Sequence, residues 1–115
     1  MTGSHRGWLR PADEAPVQGE VSALLATASG FSVEQILSGE LEGPVTYRQD
    51  HDEFALVLAG GAVLELGGDL VTLAVGEWVL IPRGVAHRLV STRPGTSWLA
   101  VRSQPRPSPA GTPPD

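Results

Sequence analysis

The chain has 115 residues, a formal charge of −5, eight arginines, no lysine and no cysteine, which allows one domain around one modest core. Without thiols there is no disulfide framework, thiolate metal site or cysteine nucleophile, and without lysine there is no Schiff-base chemistry or P-loop. The acidic balance argues against a nucleic-acid partner. No apolar run approaches the roughly 18 residues of a membrane helix, and the start of the chain has no apolar signal core, so a soluble cytoplasmic protein is expected.

In chain order, residues 1–18 form a polar arm broken by Pro11 and Pro16, in which Trp8 and Leu9 are an apolar pair expected to pack back on the domain or on a partner. Residues 19–102 read as short apolar or alternating runs separated by Gly, Pro and Asp, the pattern of strands and hairpins. The expected strands are Val21–Ala26, Phe31–Ser38, Val45–Gln49, Phe54–Ala59, Ala62–Leu66, Leu70–Val75, Trp78–Ile81, His87–Ser91 and Ser97–Arg102. The first of them, in VSALLATA, equally fits a helix. Gly60-Gly61 and Gly67-Gly68-Asp69 supply hairpin turns. Residues 103–115, SQPRPSPAGTPPD, contain five of the ten prolines and read as a disordered tail. The fold class is all-β, an antiparallel sandwich or barrel.

One segment is more specific than its composition. Gly76-Glu-Trp-Val-Leu-Ile-Pro82-Arg-Gly84-Val-Ala-His87 matches G-x5-P-x-G-x2-H at every fixed position. Gly76 turns into an apolar strand, Pro82 ends it for want of an N–H, Gly84 turns the chain back, and His87 opens the next strand on a fixed face. This resembles the second motif of the cupin superfamily, the small double-stranded β-helix (jelly-roll) barrels. That motif closes on Asn where this chain has Ser91. The first cupin motif, G-x5-H-x-H-x3,4-E-x6-G, finds its end at Glu53 and Gly60, but its H-x-H pair falls on Tyr47 and Gln49, or in the other register on Thr46 and Arg48. Neither register holds a histidine. The stretch GPVTYRQDHDEFALVLAGGAVLELGG, with IPRGVAHRLVST and TSWLAVRS, is similar to short bacterial cupins whose first motif reads roughly W-Y-x-Q-x-x-x-E-W-V. Tyr47, Gln49 and Glu53 match that pattern. The resemblance implies a barrel over residues 19–102, often dimeric, with a pocket at its wider end.

Tyr47, Gln49 and Glu53 have the same parity, so they can face one side and meet His87 across the barrel. Imidazole, carboxylate, amide oxygen and phenol are donors for a divalent metal such as Fe, Ni, Mn or Zn. They are equally the members of a hydrogen-bonded network in a metal-free ligand pocket. Tyr47 and Glu53 are the candidate catalytic groups, and Gln49, His51, Glu53 and His87 the candidate metal ligands. His51 with Glu53 and His87 makes a two-His–one-carboxylate set, whereas its DHDE setting favours a solvated loop histidine. Arg48, Arg88 and Arg102 read as strand arginines in surface ion pairs with Glu40, Glu42 or Glu65; one pointing inward would suggest an anionic, carboxylate-bearing ligand. Trp78 reads as core or interface, and Trp98 as packing.

Three functions remain open on these residues. They are a metal-dependent enzyme on a small organic molecule (dioxygenase, decarboxylase, lyase or isomerase), a non-catalytic small-molecule-binding cupin, and a metal-free isomerase or cyclase using acid–base residues. The expected partners are a small molecule and a second copy of the chain, with no nucleic acid and no membrane. The homodimer is expected because Leu56-Val57-Leu58 and Val79-Leu80-Ile81 put apolar side chains on both faces of their strands.

Overall fold

The period-two runs become nine strands in the computed structural model, which describes residues 5–104. They are β1 (Glu20–Thr27), β2 (Phe31–Ser38), β3 (Val45–Tyr47), β4 (Glu53–Ala59), β5 (Gly61–Leu66), β6 (Asp69–Ala74), β7 (Trp78–Ile81), β8 (His87–Thr92) and β9 (Thr96–Ser103). The β-branched and alternating residues of β1 pair with β2 in antiparallel register, so the helical alternative for this run is set aside. The expected strand Val45–Gln49 stops at Tyr47, because Gln49 turns away and its carbonyl accepts the Gly84 N–H at 2.9 Å. Leu66 and Asp69 are paired across Gly67-Gly68, whose φ angles of 55° and 90° are those of a two-residue hairpin turn.

The strands form two antiparallel sheets, ordered β1-β2-β9-β4-β7 and β3-β8-β5-β6. The all-β double-sheet fold with antiparallel pairing is thus as expected from the residue pattern. The inner face of the larger sheet carries Ala55, Val57, Val79, Ile81, Trp98 and Ala100, and the smaller sheet answers with Ala62, Leu64, Leu73 and Leu89. These residues are one core, and it occupies one end of the space between the sheets. Among the described residues no helix is long and apolar enough to cross a membrane.

The N-terminal arm is docked, although its apolar pair is not what docks it. Trp8 is 91% exposed and Leu9 43%, so of the two places expected for the pair, its own domain is not the one it packs on. The backbone does the work instead: Arg10 N–H donates to Gln35 Oε1 at 2.9 Å, and Gln35 Nε2 donates to the Arg10 carbonyl at 3.0 Å and to Ser97 Oγ at 3.0 Å. Gln18 then bridges to Glu40. The arm therefore lies over β2 and β9, which explains why Gln35 and Leu37, on the opposite side of β2 from Ile36, are buried. At the other terminus Ser103 belongs to β9 and its N–H donates to the Asp52 carbonyl at 3.0 Å, so the strand outlasts the expected boundary. The remainder of the expected disordered tail, from residue 105, lies outside the described residues.

The arm passes so close to Gly39 that a Cβ there would overlap the Pro16 and Val17 carbonyls. Backbone cannot yield as a flexible side chain can. Gly39→Ala is expected to lower unfolding stability by about 1–3 kcal/mol, read from the midpoint of a urea titration. Gly43→Ala, where a Cβ meets open space, is the matched control.

Candidate functional site

At the other end of the barrel the core gives way to a cavity of about 200 Å³. Its floor is apolar: Ile36, Ala55, Leu64, Ile81, Leu89 and Trp98. Its polar wall contains Tyr47, Gln49, Glu53 and His87, so the four residues expected to share one space do so. Each is placed by a separate piece of sequence. The alternation of β4 turns Glu53 inward with Ala55 and Val57, and all three are buried. The turn after Pro82 sets Gly84 at φ 77°, from which the chain re-enters β8 with His87 pointing in. Tyr47 pairs directly with His87 across the β3–β8 ladder, and their rings stack with centroids 5.5 Å apart.

The polar groups form two hydrogen-bonded chains. In the first, Trp98 Nε1–H donates to Ser38 Oγ at 3.1 Å, Ser38 donates to Glu20 Oε2, and the Tyr47 phenol donates to Glu20 Oε1 at 3.4 Å. In the second, Gln49 Nε2–H donates to Glu53 Oε1 at 2.9 Å. Arg102 Nε lies 3.5 Å from that same oxygen, while its Nη2 lies 2.8 Å from Glu34 Oε1. His87 Nδ1 is 3.3 Å from the Val85 carbonyl. A neutral ring donating there keeps its Nε2 lone pair as the proton acceptor.

Two expectations are corrected here. His51 is not among the residues lining the cavity; its Nδ1 faces Asp50 at 3.6 Å in the loop before β4, so the two-His–one-carboxylate set is not assembled. Arg102 does not make a surface pair with Glu40, Glu42 or Glu65: it lines the cavity, since β9 turns it to the same face as Trp98 and Ala100. Arg88 does pair with Glu65, at 3.3 Å. Trp78 is 59% exposed and leans on Phe54 rather than entering the core, whereas Trp98 is core and cavity floor together. The sequence reading missed Glu20, which lies one residue before the expected strand Val21–Ala26 and shares the parity of the cavity-lining Ser22.

The donor set does not fit a divalent metal. Among the described residues no three His, Asp or Glu side chains are grouped as ligands. Only one imidazole reaches the cavity, and Glu53 is already engaged by an amide N–H and by a guanidinium whose charge repels a second cation. The groups that face the cavity are of the acid–base kind: a phenol, an imidazole and carboxylates. Burial first, then the Glu20 carboxylate and its hydrogen bond, and then Glu53, raise the Tyr47 phenol above its ordinary value of 10.0, with Arg102 opposing. The phenol thus keeps its proton at neutral pH and presents it to Glu20.

The comparisons agree on the architecture. The cupin-domain family profile matches residues 32–101. A Ralstonia eutropha protein described as a candidate mannose-6-phosphate isomerase is 27% identical, with a TM-score of 0.69 over 90% of this chain and 98% of that one. KdgF from a Halomonas species is 20% identical, with a TM-score of 0.65 over 77% and 81% of the two chains. A cupin superfamily protein of Desulfitobacterium hafniense is 16% identical, with a TM-score of 0.68 over 85% and 92%. These last two establish likeness of fold alone. A search of curated proteins finds no match.

Tyr47 is the single tyrosine of the chain, so phenolate absorbance reports on it directly. Titration is expected above 10.0, and Glu20→Gln is expected to bring it back toward the ordinary value. Because the folded-state pKa is raised, the stabilisation is complete below the unfolded value of about 10 and is lost as pH rises through the folded one. Denaturant midpoints taken across that window check the sign.

Proposed function

The chain belongs to the cupin family, and from that premise we propose that it is a metal-free, small-molecule-binding cupin whose cavity takes a compact, hydroxyl-rich molecule and moves a proton on it. The observation that carries this reading is the Arg102 guanidinium on Glu53, 3.5 Å from the oxygen a metal would use. The cavity of about 200 Å³ has room for about seven waters at ~30 Å³ each, the scale of a small organic compound. Donors and acceptors on Gln49, Tyr47, Glu20 and Arg102 suit hydroxyl groups, and the Trp98 and Leu89 side suits the carbon face.

The proton chemistry follows from the stacked pair. His87 Nε2 accepts a proton from the carbon beside a carbonyl, and the Tyr47 phenol donates to the carbonyl oxygen. Return of the proton from His87 to the former carbonyl carbon, with the proton of the neighbouring hydroxyl passing to the Tyr47 phenolate, completes an aldose–ketose type of interchange and restores both residues. The Ralstonia neighbour's description, with its sugar-phosphate isomerase, supports the sugar part of this reading. The phosphate part fits poorly. One arginine shared between Glu34 and Glu53, with Glu20 also in the wall, leaves the cavity short of positive charge for a phosphate dianion.

The test is a panel of small hydroxy-carbonyl compounds incubated in D₂O, with carbon-bound deuterium read by NMR. Exchange is expected to be unchanged by a chelator and to fall about 10²- to 10⁴-fold in His87→Ala. Binding without exchange would identify a non-catalytic binding cupin. Exchange abolished by chelation and restored by a metal would sink the metal-free reading.

The outer face of the larger sheet supports the homodimer. The arm covers β2 and β9, but Trp78 and Leu80 on the edge strand β7 remain 59% and 56% exposed. We propose that a second copy covers them. Sedimentation equilibrium is expected to give twice the 12.1 kDa of the chain, and Leu80→Asp to return the monomer; a monomeric wild-type chain would exclude the pairing.

A further inference from the structure

We propose that Arg102 is a tethered cation: its guanidinium holds the place between two buried carboxylates that a divalent ion would need, and so it is the residue that sets this cavity's metal selectivity. The inference rests on the metal-free reading above and names the residue responsible for it.

Strand β9 runs between β2 and β4, so a side chain on its inner face has neighbours on both sides. Arg102 is directly opposite Glu53 on β4. On its other side, Glu34 pairs with Ala100, one inward step along β9. The guanidinium thus meets Glu34 at 2.8 Å and Glu53 at 3.5 Å, with the side chains of Glu34 and Glu53 only 14% and 10% exposed. Two carboxylates so withdrawn from water require a positive charge between them. An arginine supplies it permanently, since it does not deprotonate, and covalently, since it is part of β9.

The fit is electrostatic more than directional. Glu34 Oε1 and Arg102 Nε are buried without a well-aligned hydrogen bond, so the carboxylates retain lone pairs that the guanidinium does not use. Gln49 holds Glu53 by one N–H from the loop side. A divalent ion approaching Glu53 therefore competes with a charge that cannot diffuse away. Removing that charge while keeping the hydrocarbon stem, as in Arg102→Met, leaves Glu34 and Glu53 uncompensated, with oxygen donors suited to Mn²⁺.

The experiment uses the full chain without a histidine tag and Mn²⁺ as the probe, followed by isothermal titration and by the electron paramagnetic resonance of free Mn²⁺. Wild type and Arg102→Lys, which keeps the charge, are expected to show background binding. Arg102→Met is expected to bind one ion at least about tenfold more tightly, to gain in melting temperature when Mn²⁺ is added, and to lose both when Glu53→Gln is combined with it. If Arg102→Met is unfolded on its own, Mn²⁺ is expected to restore its β-sheet circular dichroism. No gain in affinity, no restoration, or a gain that survives Glu53→Gln would overturn the proposal. The two readings fail differently. Tight Mn²⁺ binding by the wild type, lost in His87→Ala, overturns both, whereas absence of binding in wild type and Arg102→Met alike overturns the tethered cation alone.

Discussion

The last strand holds the molecule together. β9 lies in the middle of the five-stranded sheet, paired to β2 without a break from Phe31–Ser103 to Ser38–Thr96 and to β4 from Glu53–Arg102 onward. Its inward residues run from core to site: Trp98 and Ala100 close the apolar end, and Arg102 enters the cavity. Because its partners are far away in sequence, neither core nor cavity exists until the C-terminal part of the domain has returned. Such non-local pairing is the slow part of an all-β fold.

Most of the polar groups inside this barrel are linked to one another in two chains. Trp98, Ser38, Glu20 and Tyr47 make one chain from the floor toward the mouth, and Gln49, Glu53, Arg102 and Glu34 make another. A buried carboxylate without such partners is costly, so each chain stabilises the fold as well as shaping the site. The same pairing sets the chemistry. Glu53 is committed to an amide and a guanidinium, while the Tyr47 phenol is committed to Glu20 and its ring stacks on His87. Where the first cupin motif has its H-x-H pair this barrel has no imidazole, and it carries a fixed positive charge at Arg102 instead.

Much of this was legible in the residues themselves. Period-two alternation placed the nine strands, with Phe31–Ser38 and Trp78–Ile81 at the observed bounds, because a strand with one buried face must alternate. Pro82 and Gly84 announced the turn that aims His87, and the motif register that joins Tyr47, Gln49 and Glu53 to His87 anticipated their shared cavity. Local rules reach that far, since turn geometry and side-chain alternation depend only on neighbours in the chain.

What local rules leave open is which face of a strand is inside and what lies across from it. Parity joins Arg102 to Trp98 and Ala100 whether they point in or out; only the pairing of β9 with β2 and β4 turns that face inward and brings Glu34 and Glu53 to the guanidinium. His51 shares parity with Glu53, yet the chain breaks from strand geometry between Tyr47 and Glu53, and parity carries no information across such a break. The arm's docking depends on Gln35 and on the room at Gly39, and nothing in residues 5–18 announces either. The sequence by itself determined most of the strands, the turns and four residues of the polar wall. The tertiary structure decided the charge within it, because an ion pair is a property of distance between chain segments and not of either segment alone.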